Sequence, residues 1–170
     1  VWKLAQSKTS PELYVAPGNA GTRKIAINLP IQTNDIEALT EAVKSNQIDL
    51  TIVGPEGPLH AGIVDRFRAE GLPIFGPTKQ AAQLETSKIF AKNLMKEIGV
   101  PTASFAVFDD YENARDYVHS EGAPLVIKAD GLAAGKGVVV AQTTNEAEDA
   151  LDLFLNQGVI GESGSRVLIE

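Results

Sequence analysis

A stretch of glycines and lysines joins two apolar runs in the second half of the chain. It reads VIKADGLAAGKGV and spans residues 126–138. Lys128 lies within the first apolar run, and Lys136 lies among the glycines that follow it. Glycines leave backbone N–H groups uncovered and lysines supply positive charge, so this combination is typical of a loop that binds phosphate groups.

The spacing does not fit the two common glycine-loop motifs, both of which open a helix. Only three residues separate Gly131 from Gly135, and Gly137 stands where a P-loop needs a hydroxyl side chain. The run VVVA that follows predicts a strand. We therefore predict a strand–loop–strand hairpin that closes over phosphates as a lid, with Lys128 directed at them and Lys136 at the tip. A plain hairpin with a flexible tip is the alternative.

Strand alternation places Lys128 and Asp130 on one face of the hairpin, opposite Ile127 and Ala129. The residue types do not predict a metal site in this chain. His60 and His119 are isolated, without a cluster of carboxylates, and are expected at the surface. Glu85 and Asp130 are possible metal ligands by type alone, but we predict neither as one.

Composition and charge exclude several classes of protein. The 170 residues are 44% hydrophobic and 22% charged, which is typical of a globular protein. The net charge is -7 and no basic run occurs, so we expect no nucleic-acid partner. The absence of cysteine excludes disulfides and thiolate metal sites. No apolar run approaches the roughly 20 residues of a membrane span, so we expect no membrane partner.

The two ends suggest a longer protein. The chain begins without Met and stops at RVLIE, a run typical of a strand. We expect a fragment that lacks an upstream first strand, with residues 1–7 as the tail of the helix after that strand.

The first half of the chain alternates short apolar runs with segments of helical period. Strands are predicted at 13–16, 49–55 and 72–77. One helix is predicted around Ile36, Leu39 and Val43, with Asn34 as its N-cap and Glu37 as the capping-box partner. The next contains Ile63, Val64 and Phe67. This alternation implies βαβ units, and hence a parallel sheet covered on both faces.

The pattern changes in the second half of the chain. A long helix with Leu84, Phe90, Leu94 and Ile98 on one face is predicted at 78–98, and GVP ends it. The remaining predicted elements are a strand at 104–108, a helix at 110–120, the hairpin strands at 124–130 and 137–141, and a helix at 145–155. The predicted fold class is α/β: a Rossmann-like parallel-sheet domain at 1–85, a connecting helix at 86–105, and a small α+β subdomain at 106–170.

Residues 126–138 resemble the lid of the ATP-grasp ligases. Four further stretches occur in the order typical of one family within that superfamily. They are VAPGNAGT at 15–22, IVGPEGPL at 52–59, IFGPT at 74–78 and AQLETSK at 82–88. Over its whole length the chain resembles the phosphoribosylamine–glycine ligases, also called glycinamide ribonucleotide synthetases.

The resemblance implies a pre-ATP-grasp domain followed by an ATP-grasp lid subdomain. It also implies a reaction in which ATP phosphorylates the carboxylate of glycine. The amine of 5-phosphoribosylamine then attacks the acyl phosphate, and glycinamide ribonucleotide, ADP and phosphate are formed. The implied cofactors are ATP and Mg²⁺, with the metal ligands expected beyond residue 170. The implied setting is cytoplasmic purine biosynthesis, with possible fusion to other purine-pathway domains.

Site residues follow from the same resemblance. Lys88 and Lys128 correspond to the two lysines that bind ATP phosphates and act in catalysis. The nucleotide site would also include Asp130, Gly131, Gly135, Lys136, Gly137 and Glu170, the last at the adenine hinge. The phosphoribosylamine pocket would include Gly18, Asn19, Gly21, Gly54, Pro55 and Glu56.

Simpler interpretations of these residues stay open. Lys88 and Lys92 fit solvated helical lysines, Glu56 fits a turn residue, and PGNAG fits an ordinary turn. Two other functions also fit: another ATP-grasp carboxylate–amine ligase or carboxylase, and a non-catalytic nucleotide-binding module. Without the missing parts, the chain alone is expected to be inactive.

Overall fold

The computed structural model describes residues 1–133, 135–161 and 165–170. The chain forms two compact units, Val1–Ala82 and Gln83–Glu170. Parallel strand pairs with helices occur in the first unit, and an antiparallel sheet with helices occurs in the second. The predicted α/β fold class is therefore confirmed.

The first unit contains four short strands in two parallel pairs. Strand β1 (Tyr14–Val15) pairs with β2 (Ile27–Asn28), and β3 (Thr51–Ile52) pairs with β4 (Ile74–Phe75). The parallel pairing was predicted, but β2 was not, because its run of apolar residues is too short to stand out. Ile52 and Phe75 are exposed, so the described residues do not cover both faces of this strand pair.

Helices α1 (Ile36–Ser45) and α3 (Ile63–Ala69) supply the core of this unit. Val43, Ile63, Val64 and Phe67 form a buried apolar cluster in it. The predicted helix containing Ile63, Val64 and Phe67 is thus confirmed, and these three residues are buried.

Two local predictions in the first unit are wrong, one for the N-cap of α1 and one for residues 1–7. The N-cap of α1 is Asp35, whose carboxylate accepts from Ala38 N at 3.1 Å, because Asp35 rather than Asn34 directly precedes the helix. The alternative interpretation of Glu56 as a turn residue is not found either, because Glu56 begins the short helix α2 (Glu56–Ala61), whose first turn tolerates a proline. The expected helix tail at 1–7 is a single 3-10 turn, Leu4–Gln6.

The predicted long helix at 78–98 is also wrong, because two helices occupy this segment. Helix α4 (Lys79–Thr86) and helix α5 (Lys88–Glu97) are separated at Ser87, whose backbone is extended. The Ser87 hydroxyl accepts from Phe90 N at 3.1 Å and so begins a new helix.

The second unit is built on one antiparallel sheet of four strands. The strands are β5 (Ala106–Phe108), β6 (Leu125–Ala129), β7 (Val138–Ala141) and β8 (Val167–Ile169), in the spatial order β5-β8-β6-β7. Helices α6 (Tyr111–Glu121) and α7 (Thr144–Leu151) pack on one face, and a π-helical turn, Asp152–Asn156, continues α7. Ile127 and Ala129 are fully buried in that core, as the alternation predicted. Lys128 therefore lies on the opposite face of the sheet.

Candidate functional site

The predicted glycine-rich hairpin is confirmed. Strands β6 and β7 pair in antiparallel register from Leu125 opposite Ala141 to Lys128 opposite Val138. One further backbone bond, from Ala129 N to Gly137 O at 2.8 Å, closes the ladder and leaves 130–136 as the tip. Within this tip Ala134 lies outside the described residues.

The glycines in and directly after the tip are required for two different structural reasons. Gly131 and Gly135 have φ values of 96° and 80°, which side-chain-bearing residues rarely adopt. Gly137 is buried, and a Cβ there would lie 2.6 Å from the Cβ of Ala133. The backbone thus turns tightly at both ends of the tip, while Lys136 is exposed.

Lys88, the first residue of α5, reaches the start of this tip. Its Nζ donates to the carbonyl oxygens of Ala129, at 3.0 Å, and Gly131, at 3.2 Å. Two of the three ammonium N–H groups are then engaged by backbone on either side of Asp130. The structure therefore brings one predicted phosphate-binding lysine directly to the predicted loop.

Asp130 ties the loop to the beginning of α5. Its Oδ1 accepts from the Ser87 hydroxyl at 3.0 Å and from Ile89 N at 3.2 Å. Its Oδ2 accepts from Arg166 Nη2 at 2.8 Å, and the side chain is only 8% exposed. Both oxygens are thus engaged by donors of the protein, and these bonds connect the loop to the beginning of α5. The role of Asp130 in the nucleotide site stays a prediction.

Glu170 joins two lysines on the face of the sheet opposite the core. Its Oε1 pairs with Lys128 Nζ, and its Oε2 accepts from Lys92 Nζ at 2.9 Å. The Glu170 side chain is 10% exposed. Backbone bonds in both directions between Val126 and Glu170 extend the β6–β8 ladder and fix this register. The structure thus brings together Lys128 and the predicted adenine-hinge residue.

The two lysines determine the charge state of Glu170. Burial by itself would raise its pKa, but hydrogen bonds and ion pairs from Lys128 and Lys92 outweigh burial and lower the pKa below the ordinary 4.5. Glu170 is therefore ionised throughout the neutral range.

This lowered pKa predicts a pH-dependent contribution to stability. The folded-state pKa lies below the unfolded value of 4.5, so the contribution is fully present above pH 4.5. It is lost as the pH falls through the folded-state pKa. We expect the difference in free energy of unfolding between wild type and Glu170→Gln to be constant above pH 4.5 and to shrink below it. Urea unfolding at a series of pH values measures this, and a difference that does not change with pH contradicts it.

Three residues around this site were not predicted from the sequence. Lys92 on α5 resembled a solvated helical lysine, although it lies one turn after Lys88. Ser87 has a type suited to a helix cap, but its position inside a continuous apolar period concealed it. Arg166 has no local sequence signal, because its partner Asp130 is distant in the chain.

The predicted substrate loop of the first unit follows strand β1 and is well ordered. Asn19 Oδ1 accepts from Gly21 N at 2.8 Å and from Thr22 N at 3.0 Å. The Asn28 side chain donates to Asn19 O at 2.9 Å. The oxygens of Asn19 thus hold the loop in its conformation. The segment PGNAG is therefore a hydrogen-bonded loop connected to Asn28 and not an isolated turn.

Gly18 is held in a conformation that excludes larger residues. Its φ is 76°, and a Cβ there would lie 2.3 Å from Asn28 Cγ. We expect Gly18→Ala to destabilise the first unit by about 2–3 kcal/mol, because backbone strain and displacement of Asn28 add together. Hydrogen-exchange mass spectrometry of peptides within 13–31 measures the loss of protection.

The control for this substitution is Gly71→Ala. Gly71 also has a positive φ, 70°, but a Cβ there meets no atom within 4 Å. We expect Gly71→Ala to show the conformational strain alone. Equal losses of protection in the two variants would contradict the role of Asn28.

The second predicted substrate segment follows strand β3. Gly54, Pro55 and Glu56 are exposed, and Pro55 is the N-cap of α2. Glu56 is the first residue of that helix and is not a simple turn residue. Both segments predicted to bind substrate thus lie directly after the carboxyl ends of parallel strands, the usual ligand side of such sheets.

Two wider features concern the described parts of the chain, a metal site and a membrane span. Among those residues no group of three or more His, Cys, Asp or Glu side chains is arranged to hold a metal ion. None of the described helices has the length and apolar character needed to cross a membrane.

Comparison with known proteins gives relatives over the full length of the chain. A phosphoribosylamine–glycine ligase of Halalkalibacterium halodurans is 54% identical over 169 residues, which are 99% of this chain and 40% of that protein. The crystal structure of phosphoribosylamine–glycine ligase from Thermotoga maritima superposes with a TM-score of 0.76 at 30% identity, covering 99% of this chain and 39% of that one. The chain therefore spans about 40% of the length of the curated relatives it matches.

A more distant structure shows the same fold. The biotin carboxylase domain of 2-oxoglutarate carboxylase from Hydrogenobacter thermophilus, solved with MgADP, ADP and bicarbonate, has a TM-score of 0.77 at 18% identity. It covers 96% of this chain and 39% of that domain. At this identity the likeness concerns the fold alone.

Two family models divide the chain between them. The N domain of phosphoribosylglycinamide synthetase matches residues 1–85, and the ATP-grasp (A) domain of the same synthetase matches residues 86–170. Together with the order of the sequence motifs and the geometry of the glycine-rich hairpin, these matches show that the chain belongs to the phosphoribosylglycinamide synthetase family.

Proposed function

We propose that the complete protein carrying this chain ligates glycine to 5-phosphoribosylamine, with ATP consumed to ADP and phosphate through glycyl phosphate. The observation that carries the proposal is the match of both halves of the chain to the two domains of one synthetase family. The finer division of the chain at residues 85 and 105 remains a prediction.

The lysines and the hairpin suit a nucleotide site. Lys128 is 27% exposed, and its Nζ has one hydrogen-bond partner in the described part of the chain, Glu170. Two of its N–H groups are therefore available for phosphate oxygens. Lys88 has one further N–H group available beside the loop. We infer that both lysines bind ATP phosphates, with Gly131, Gly135, Lys136 and Gly137 forming the lid.

ATP, when bound, supplies the phosphoryl group that activates the glycine carboxylate. The residues of this chain would then stabilise the negative charge that develops on that group, because fixed cations act strongly where water is excluded. Closure of the hairpin tip would keep water away from the acyl phosphate, which otherwise hydrolyses. Glu170 would lie on the adenine side of the site.

The first unit would hold phosphoribosylamine. The amide nitrogen of Asn19 has no partner among residues the structure describes, whereas its oxygen is engaged within the loop. Asn19 could thus donate to a ribose or phosphate oxygen without losing its structural bonds. Gly18, Gly21, Gly54 and Pro55 would line the pocket, and Glu56 would accept from the substrate amine or hydroxyls.

The described residues do not include a carboxylate cluster suited to Mg²⁺. We propose that ligands for Mg²⁺ and for glycine belong to parts of the protein beyond residue 170. We also propose a cytoplasmic protein whose partners are its small-molecule substrates, with no nucleic acid or membrane. Its complete chain could be fused to other purine-pathway domains.

Two rival functions share the same fold. Other ATP-grasp carboxylate–amine ligases or carboxylases would use the same lysines with a different carboxylate, and the biotin carboxylase domain above shows that the fold serves such chemistry. A non-catalytic module would bind ATP without turnover. The substrate segments that follow β1 and β3 favour the glycine ligase over both.

The test is an assay of ADP release by the complete protein with ATP and Mg²⁺. Phosphoribosylamine would be generated in place, and glycine would be present or omitted. ADP release that requires both substrates supports the proposal. Release with another carboxylate assigns the protein to a different ATP-grasp enzyme, and ATP binding without turnover assigns it to the non-catalytic class. The 170-residue chain alone should release no ADP.

A further inference from the structure

Lys92 is a mostly buried cation with three hydrogen-bond acceptors. Its Nζ donates to Thr102 Oγ1 at 2.6 Å, to Ala103 O at 3.2 Å and to Glu170 Oε2 at 2.9 Å. The ammonium also lies 5.5 Å from the centre of the Phe105 ring, within the range of a cation–π contact. Only 13% of the side chain is exposed. All three N–H groups are therefore used within the protein.

Lys128 differs from Lys92 in its exposure and in the number of its hydrogen-bond partners. It is 27% exposed, about twice as much as Lys92. Glu170 is its single hydrogen-bond partner within the described ranges, so two N–H groups remain. The two lysines that contact this carboxylate therefore differ. All N–H groups of Lys92 are engaged within the protein, whereas two N–H groups of Lys128 are available to an anion.

If Lys128 were the only cation beside Glu170, the negative charge of the carboxylate would cancel the positive charge of Lys128. Two positive charges on Glu170 leave the cluster of Lys92, Lys128 and Glu170 with a net charge of about +1, because three ionised groups are present. Removal of Lys92 would leave Lys128 neutralised by Glu170, and it would also free the Glu170 carboxylate to move. The positive charge available to phosphates would fall.

We propose that Lys92 is a positioning residue of the nucleotide site, which holds the Glu170 carboxylate in place and leaves Lys128 free to bind nucleotide phosphates. This inference depends on the proposed function, because it assumes that the site binds ADP and ATP. Lys92 itself would not contact the nucleotide.

The experiment is a double-mutant cycle on the complete protein, with ADP and Mg²⁺ titrated by calorimetry. We expect Lys92→Met to raise the Kd for ADP roughly tenfold, as the loss of a charge-assisted contact would. In the Glu170→Gln background, the same substitution should change the Kd less than about twofold, because the residue through which Lys92 acts is already absent.

Two further variants separate this role from general effects. Lys96→Met removes one positive charge from an exposed position of the same helix and measures the long-range electrostatic loss. Lys92→Arg keeps the positive charge and should retain most of the affinity for ADP. It replaces Lys92→Met in the experiment if circular dichroism shows that Lys92→Met is unfolded.

Each outcome decides the matter. An equal loss of affinity in the wild-type and Glu170→Gln backgrounds overturns the inference, because Lys92 would then act through the segment that holds Thr102 and Ala103. A loss no greater than that of Lys96→Met overturns it as well. If the wild-type protein binds no ADP, the proposed function fails first, and this inference fails with it.

Discussion

A complete protein with Lys128→Met is expected to lose ligase turnover by roughly 100-fold or more while retaining its fold. Lys128 lies on the face of β6 opposite the buried Ile127 and Ala129, so its replacement opens no cavity in the core. Met preserves the length and most of the volume of the side chain. The effect should therefore arise from the lost positive charge, and it should appear in kcat for ADP release with both substrates saturating.

Lys96→Met is the matched control for Lys128→Met. Lys96 is exposed on α5, and we expect its removal to leave turnover within about twofold of wild type. Circular dichroism and the thermal midpoint verify that both variants fold. If turnover of Lys128→Met stays within a few-fold of the control, Lys128 does not stabilise the transferring phosphoryl group, and the assignment carried by the family resemblance is wrong at this residue.

Asp130→Ala should have the largest effect on stability, about 3 kcal/mol. The Asp130 carboxylate is nearly buried and accepts from the Ser87 hydroxyl, from Ile89 N and from Arg166. Its removal leaves a buried backbone N–H without an acceptor and removes charge-assisted bonds, each worth about 1–3 kcal/mol but not additive. Arg166 is 53% exposed and can return to water, which limits the total. Urea unfolding of the chain measures the difference.

Asp130→Asn keeps one acceptor oxygen and should destabilise less than Asp130→Ala. Asp109→Ala, at an exposed position, should change the free energy of unfolding by less than about 0.5 kcal/mol. Hydrogen exchange locates the effect, because protection should fall first in the N-terminal turn of α5, where Lys88 lies. An Asp130→Ala variant as stable as the Asp109 control would show that Asp130 does not hold this turn.

Local patterns predicted those parts of the fold that depend on neighbouring residues. The hairpin of β6 and β7 followed from two apolar runs joined by glycines, and helices α3 and α6 followed from helical period. The break at Ser87 could not be predicted in this way, because the apolar period continues across it. Its hydroxyl bonds to Asp130, 43 residues away, so the cap depends on tertiary structure.

The candidate site was predictable to the extent that residue types carry a signal. Glycines and a lysine inside a strand indicated phosphate chemistry, and the family resemblance added Lys88 and Glu170. Lys92 could not be distinguished from a solvated lysine, because its partners Thr102, Ala103 and Glu170 meet it only in the folded unit. Asp130 was assigned to the nucleotide site from the family resemblance, and that role stays a prediction. Its bonds to the beginning of α5 had no signal in the sequence, because they join residues more than 40 positions apart.

The strand order β5-β8-β6-β7 has a consequence for how the second unit is synthesised. On the ribosome the β6–β7 hairpin can form as soon as it emerges, since its strands are adjacent in sequence. The other edge of β6 then stays unpaired until β8 is made, and β5 has no sheet partner until the same moment. Unpaired edges are templates for association with other chains. A nascent chain stalled before Val167 should therefore be a preferred client of ribosome-associated chaperones.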